Sequence, residues 1–329
     1  MIKFAVMTDL HTDIIHDAPK RVQAFVEAAN AESCDFAIQL GDFMQPEFIG
    51  SYQCSESRVS PVMKNILAGL GMSAEEKREI WSIFHGLNCP LYHVIGNHDL
   101  DLYSKNEIID YWKMIGPYYS FDINDYHFIV LDANFGLENN ETIAFCRGNY
   151  MKWMFAKDEP FPYIPKEELL WLENDLASTD KKSIIFSHEG INSGFLNAIN
   201  YKEIFDILKA APNGVALCIC GHKHQDLLEY EDNIPVYCLN SMSGYAVPAQ
   251  FAVRRFSEEI ENSYPNVQYM CPYENPLYII VTIDEATIRI TGRNSRFIAP
   301  GPIESGVHFE EGDVVFASKA SGASIMMHN

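Results

Sequence analysis

Short apolar runs recur along the chain, and most of them end on a residue that can bind a metal or move a proton. Ile2–Thr8 leads into Asp9-Leu10-His11, Phe36–Leu40 into Gly41-Asp42, and Leu91–Ile95 into Gly96-Asn97-His98-Asp99. Ser183–Phe186 precedes Ser187-His188, and Val215–Cys220 precedes Gly221-His222-Lys223-His224. Continuous apolar runs of this length predict buried strands. Between the first two, Pro19–Glu32 places Val22, Phe25, Val26 and Ala29 at helical spacing. The result is a βαβ unit with a carboxylate at the tip of each strand. Tyr119–Ile123 and Tyr126–Asp132 read as strands joined at Asn124-Asp125. Pro165 opens a helix with Leu169, Leu172 and Leu176 on one face, and Tyr201–Ala210 reads as another helix. Pro235–Leu239, Leu277–Ile283 and Thr287–Thr291 read as strands, the last two as a hairpin.

Two stretches interrupt this rhythm. Phe43–Pro90 reads as a largely helical insertion, with Ser73-Ala74-Glu75-Glu76 as the capping box of a helix running towards Leu87. Asn134–Tyr163 holds aromatics, Arg147 and Lys152 without a clear period, and reads as a long loop or flap beside the strand ends. The tail from Arg293 is a C-terminal extension without an assigned element. With no repeat and no low-complexity linker, one domain over residues 1–329 is expected.

Composition narrows the functions. The 329 residues are 47% hydrophobic and 21% charged, as in a globular protein that buries a sizeable core. Lys and Arg number 24 against 45 Asp and Glu, a net charge of −21. That balance opposes a nucleic-acid groove and an anionic membrane surface. The eight cysteines show no paired spacing except Cys218-Ile219-Cys220, which points both thiols to one face of an apolar run. They read as free thiols, mostly in the core, in a reducing compartment. A first strand at Ile2 and the lack of a membrane-length apolar stretch place the protein in the cytoplasm as an expectation.

Sites in open α/β sheets are built at the carboxyl ends of strands. Gly96, straight after its apolar run, lets the backbone turn sharply there. Any one of these histidines alone is more often a packed or surface residue, and an isolated Gly-Asn-His-Asp could be a polar turn. Five such clusters in order point instead to two adjacent metal ions. Asp42 is the natural bridge, because a carboxylate has lone pairs for both ions. Asp9 and His11 lie two apart and would face one way in extended backbone, as would His222 and His224, one for each metal. Asn97 and His188 supply neutral ligands. His16, His85, His93, His127, His308 and His328 match no cluster and read as structural, and Met7 and Tyr118-Tyr119 as core. Asn192 and Asn197, after His188, are considered as substrate contacts.

The ordered series Asp-x-His, Gly-Asp, Gly-Asn-His-Asp, a lone His and Gly-His-x-His resembles the calcineurin-like metallophosphoesterase superfamily over about Ile2–Asp226. The resemblance implies an α/β fold, a four-layer α/β/β/α sandwich of two mixed β-sheets flanked by helices. It implies one metal held by Asp9, His11, Asp42 and His224 and a second by Asp42, Asn97, His188 and His222. His98 would be the acid or charge stabiliser at the leaving oxygen, oriented by Asp99. Two positions depart from the family's pattern: Gln45 stands where relatives often carry a non-ligating Asp, and Glu189-Gly190, expected at the substrate pocket, where they often carry His-Pro.

The implied activity is hydrolysis of a small phosphorylated substrate, with a hydroxide held between two divalent or transition-metal ions (Mn, Fe or Zn) attacking phosphorus in line. The start at Asp9-x-His11 and the Trp171-Leu172 pair are similar to the cyclic-nucleotide phosphodiesterase branch. That puts a small diester, of cyclic-nucleotide or glycerophosphodiester type, ahead of a monoester handled by a nucleotide or protein phosphatase. The −21 charge disfavours a nuclease, and a metal-free binding scaffold would lack ligands that are all present here. Substrate choice is expected from the two insertions, through Phe48, Tyr52, Phe145, Tyr150 and Trp153. Oligomeric state is left open.

Overall fold

The computed structural model describes residues 1–44, 80–151, 161–307 and 316–327. The expected capping box at Ser73–Glu76, the aromatics Phe48, Tyr52 and Trp153, and Gln45, Cys54, Lys152, His308 and His328 lie outside the described residues. In chain order the strands are β1 (Ile2–Met7), β2 (Phe36–Gln39), β3 (Leu91–His93), β4 (Tyr119–Ile123), β5 (Tyr126–Val130), β6 (Phe135–Glu138), β7 (Glu141–Ala144), β8 (Lys182–Phe186) and β9 (Val215–Cys220). They continue as β10 (Leu227–Glu231), β11 (Ile234–Cys238), β12 (Gly244–Ala246), β13 (Met270–Pro272), β14 (Ile279–Ile283), β15 (Thr287–Thr291) and β16 (Ala323–Met326). The helices are α1 (Ala18–Ala31), α2 (Lys105–Trp112), α3 (Lys166–Ser178), α4 (Tyr201–Ala210) and α5 (Glu258–Ser263).

Side chains along the strands alternate between two interiors, which stacks the molecule in layers. In β1, Phe4 and Val6 point into the interior between the sheets, with Phe36 and Ile38 of β2. Phe128 and Val130, Ile184 and Phe186, and Leu217 and Ile219 close that interior from the other sheet. The alternate residues Ala5, Met7 and Ala37 face outward and meet Val22, Phe25, Val26 and Ala29 of α1. On the far side Ile129, Ile185, Cys218 and Cys220 meet Leu169, Leu172 and Leu176 of α3 and Ile204, Phe205 and Leu208 of α4. The order is helix, sheet, sheet, helix, as the sequence implied.

Each sheet has six strands, in the orders β16-β15-β14-β1-β2-β3 and β10-β11-β9-β8-β5-β4. Both are mixed. β1, β2 and β3 run parallel while β14 opposes β1. In the other sheet β5, β8, β9 and β11 run parallel, with β4 and β10 antiparallel at its edges. The described thiols are all free, with Cys34, Cys218, Cys220, Cys238 and Cys271 buried. Among the described residues no helix is long and apolar enough to cross a membrane.

Several elements escape the pattern reading. Asn134–Tyr163 begins as a hairpin, β6 pairing with β7. Its turn, Asn139-Asn140, has φ of 53° and 65°, the two positive values of a type I′ turn that asparagine tolerates. Helix α2 starts at a reciprocal capping box between Ser104 and Glu107 and ends at Lys113 in the left-handed region. Strand β16 pairs with β15 after a long excursion, so no local signal could announce it.

One edge of the second sheet is tied by charge. His127 on β5 places Nδ1 2.7 Å from Asp122 of β4 and Nε2 2.7 Å from Asp175 of α3. Burial opposes the charge, but the two carboxylates raise the imidazole above its ordinary pKa. A raised folded pKa contributes stability that is complete below the unfolded value near 6.5 and is lost as pH rises through the folded one. His127→Gln should therefore lower thermal stability more at pH 6 than at pH 9. Equal losses in Tm at the two pH values would refute the charged pairing.

Candidate metal centre

Five strand ends from the two sheets meet at one edge. Asp9 and His11 follow β1, Asp42 follows β2, Asn97 and His98 follow β3, His188 follows β8, and His222 and His224 follow β9. The turns carrying them are tight. Asp9, His11, Asp42, His222 and His224 all have φ between 51° and 68°, in the left-handed region that non-glycine residues seldom adopt. Asp9 and His11 therefore do not share a face through extended backbone, as the two-residue spacing suggested. Successive left-handed turns bring them together instead. Strain of this kind persists only where surrounding contacts impose it.

Glycines allow the turns to nest. Gly41 has φ of 99°, and a Cβ there would stand 2.5 Å from the Gly96 nitrogen. A Cβ on Gly96 would stand 2.3 Å from Asp42 Oδ1. Gly96 is not among the positive-φ residues, so its requirement is close approach rather than the sharp turn expected.

Two groups of side chains result. Asp9, His11 and His224 each offer a ligand atom within 4.8 Å of one another, and so do Asp42, His188 and His222. In the first, the Nε2 atoms of His11 and His224 face each other at 3.1 Å, and His224 Nε2 lies 3.2 Å from Asp9 Oδ1. In the second, His222 Nδ1 lies 3.2 Å from His188 Nε2, which lies 3.2 Å from Asp42 Oδ2. Ligands about 2.1 Å from one ion at tetrahedral or octahedral angles stand about 3.0–3.4 Å apart. The donors fit that geometry, and mixed imidazole and carboxylate sets suit divalent transition metals. His222 and His224 separate, one into each group as expected, through left-handed turns rather than the extended backbone their spacing suggested. Asn97 is buried with Oδ1, the atom a metal takes, lacking a hydrogen-bond donor.

Outer contacts aim these atoms. Thr8 Oγ1 donates to Asp9 Oδ2 at 2.6 Å and the His222 amide donates to it at 3.1 Å, leaving buried Oδ1 unpaired. His188 Nδ1 donates to the Leu40 carbonyl at 2.8 Å, which presents Nε2 to the centre. Ser241 Oγ donates to the Asp9 carbonyl, and the buried Arg21 braces the neighbouring Met242 and Tyr273 carbonyls from α1. Burial, with His224 nearby, pushes His11 down to about 3, and burial with His188 does the same to His222. Both are held neutral, as a metal ligand must be, whereas burial opposes charge on His188 but the facing Asp42 raises it well above the ordinary imidazole value. Burial opposes charge on Asp42, yet the facing His188 and His98 hold its pKa well below the carboxylate range.

His98 is held differently from expectation. Its Nδ1 lies 3.0 Å from Asp101 Oδ2 and 2.9 Å from the Tyr150 hydroxyl. Asp99 instead accepts the backbone amides of Asp42, Met44 and Gly96 at 2.9–3.0 Å. It clamps the Gly41–Met44 turn to the turn carrying His98, so the carboxylate that orients His98 is Asp101. The reason is geometric: a short 3₁₀ turn over His98–Leu100 points the i+3 residue back at His98 rather than the i+1 residue. Burial opposes protonation of His98, but Asp101 and Asp42 raise it to about 9.

Other expectations also change. Phe145 and Tyr150 are buried, so neither is free to stack on a substrate. Glu189 is fully buried with both oxygens unpaired and burial raises its pKa to about 7. It does not line an open pocket. Asn192 and Asn197 are buried too, and Asn197 Nδ2 donates to Asn192 to brace the loop after His188. Sequence reasoning missed Thr8 and Asp101, and gave Tyr150 another task, contact with the substrate. Asp101 lay within reach of a helical-spacing argument, whereas nothing local tied Tyr150 to His98.

The model of the family described as calcineurin-like phosphoesterase matches residues 2–226, more than half of the chain. No curated protein matches the sequence. Among solved structures, a dimetal phosphatase from Danio rerio superposes with a TM-score of 0.59 at 14% identity, over 90% of this chain and 98% of that one. The anchor of the inner membrane complex of Plasmodium superposes with a TM-score of 0.51 at 13% identity, over 100% of this chain and 89% of that one. At such identities the likeness speaks for the fold. With the family model spanning all five strand-end motifs and both ligand groups, the chain belongs to the calcineurin-like phosphoesterases, metal-dependent hydrolases of phosphoric esters.

Proposed function

We propose that this protein hydrolyses a small phosphodiester using two divalent ions, one held by Asp9, His11, Asp42 and His224 and the other by Asp42, Asn97, His188 and His222. The observation that carries this is the pair of facing imidazole nitrogens at 3.1 and 3.2 Å, each pair completed by a carboxylate. Bound ions supply positive charge against the phosphoryl oxygens and acidify the attacking water. Asp42 keeps lone pairs on both oxygens and serves both ions. His98 retains 22% side-chain exposure against 12% for His224, 3% for His11 and 0% for His188, so a substrate can reach its imidazole. It donates a proton to the leaving oxygen.

Charge favours a diester. Asp9 and Asp42, both held below the ordinary carboxylate range, keep negative charge buried at the centre, which opposes a dianionic monoester more than a monoanionic diester. The Danio rerio structure is described as a phosphatase, which supports monoester hydrolysis at the same site as the second reading. The metals are drawn from manganese, iron and zinc. No nucleic-acid partner is expected, given the −21 charge.

The purified protein should bind two divalent ions per chain by elemental analysis. Chelation should abolish hydrolysis and Mn²⁺ restore it, with kcat/KM across a panel of esters highest on a diester. Undiminished activity after complete metal removal would falsify the dinuclear reading, and a monoester at the head of the panel would favour the second.

Asp42→Ala should lose more metal than Asn97→Ala. Two unit charges about 4 Å apart repel by about 4 kcal/mol at an effective dielectric near 20, and divalent ions by more, so the shared carboxylate matters most. Equal metal content in the two variants would remove the case for a bridge.

His98→Ala should keep its metals and lose roughly 10²–10⁴-fold in kcat on alkyl leaving groups, and much less on nitrophenyl esters, which need little protonation. Loss of metal, or an equal loss on every leaving group, would instead mark His98 as a ligand or a structural residue.

A further inference from the structure

The groups around His98 form a closed triangle. The Tyr150 hydroxyl donates to Asp101 Oδ1 at 2.6 Å, and Asp101 Oδ2 lies 3.0 Å from His98 Nδ1. The same hydroxyl lies 2.9 Å from that nitrogen. A phenol has one proton, and the shorter contact takes it to Asp101. Its oxygen is then an acceptor towards His98, as is Asp101 Oδ2. Two acceptors on one imidazole nitrogen require that nitrogen to carry the hydrogen.

With Nδ1–H held, Nε2 is the nitrogen left for substrate. The His98 ring stands edge-on to His11 of the first ligand group, centroids 5.6 Å apart at 79°, which sets it beside the centre. Asp101 and Tyr150 are themselves buried, so water does not compete for the triangle.

Tyr150 reaches this position because the segment after β7 is strapped to the turn bearing His98. The Gly148 amide donates to the Leu100 carbonyl at 2.9 Å, and the Arg147 amide to the Tyr103 carbonyl at 3.1 Å. The Arg147 guanidinium forks onto Glu107 of α2 at 2.7 and 2.9 Å. The Tyr150 ring packs on Phe145 with centroids 5.2 Å apart.

We propose that Asp101 and Tyr150 are positioning residues for His98, and that Tyr150, on the segment after β7, serves catalysis rather than contact with the substrate. The proposal rests on the phosphoesterase reading above and on His98 being its proton donor. Tyr150 holds Asp101 in place and shares the Nδ1 hydrogen, and Asp101 fixes the ring so that Nε2 faces the leaving oxygen. Removing either leaves the proton donor present but free to turn.

The test uses the full-length protein with Asp101→Asn and Tyr150→Phe, each made alone and with His98→Ala. On an alkyl phosphodiester, Tyr150→Phe should lower kcat about 10-fold and Asp101→Asn about 10²-fold, within the range a positioned proton donor supplies. KM and metal content should hold within two-fold, and both losses should shrink on a nitrophenyl diester. In the His98→Ala background neither change should lower kcat further, because residues acting through one group are not additive. Undiminished losses in that background, or losses falling on KM or on metal content, would overturn the proposal.

A readout independent of turnover separates its failure from failure of the phosphoesterase reading. In ¹⁵N-histidine spectra of the zinc-loaded protein, the His98 Nδ1 should carry a hydrogen-bonded proton whose resonance moves in Tyr150→Phe and moves or vanishes in Asp101→Asn. A bare Nδ1 in the unaltered protein, or a resonance indifferent to both changes, would overturn the positioning role even if hydrolysis were demonstrated.

Discussion

Phe4, Phe36, Phe128 and Phe186 hold the two sheets at a fixed separation, and the metal centre depends on that separation. Phe4 stacks on Phe36 with centroids 4.7 Å apart and meets Phe186 edge-on at 5.8 Å. Phe36 meets Phe128 at 4.9 Å, and Phe128 stacks over Phe186 at 6.1 Å. The four rings sit on β1, β2, β5 and β8. Three of those strands end in Asp9, Asp42 and His188. Rings packed at interior density leave the strands little freedom to slide, so the ligand atoms inherit their positions from an apolar core. Ligand groups that converge within a few ångströms then need no flexible loop to assemble them.

That rigidity carries an electrostatic burden. Asp9, Asp42 and Asp99 are buried close together, and like charges in a poorly solvated space are costly unless compensated. The fold compensates in three ways. Backbone amides answer Asp99, whose carboxylate joins the turns after β2 and β3. Thr8 and the His222 amide answer one oxygen of Asp9. The remaining charge faces imidazoles, where bound cations would complete the arrangement. Burial raises Asp99 to about 8, with Asp42 adding to the effect, while the Met44 and Gly96 amides it accepts pull the other way.

The site is also supported from outside the strand ends. α1 sends Arg21 to the carbonyls of Met242 and Tyr273, and the same loop touches Asp9 through Ser241. The segment after β7 delivers Tyr150 to His98. An insertion expected from the sequence to choose the substrate thus reaches His98 through Tyr150, and removing it would disturb the site itself.

The sequence by itself determined the strands and the tips they end on. Runs such as Val215–Cys220 and helices such as Tyr201–Ala210 occupy the bounds their pattern predicts, because burial and backbone propensity act over a few neighbouring residues. The residues of the two groups, Asp9, His11 and His224 with Asp42, His188 and His222, could be picked out the same way, since each stands within a few residues of its strand's end. Tertiary structure decided what those tips face. That Asp9 joins His224 while His222 turns to His188 is set by left-handed turns and by the packing of one sheet on the other. The partner of His98 is Asp101, because a 3₁₀ turn intervenes where chain adjacency favoured Asp99. Tyr150 arrives from 52 positions away, and β16 closes a sheet edge beyond any local signal. Contacts between distant segments cost loop-closure entropy that no local pattern records, and only the packed core makes them favourable.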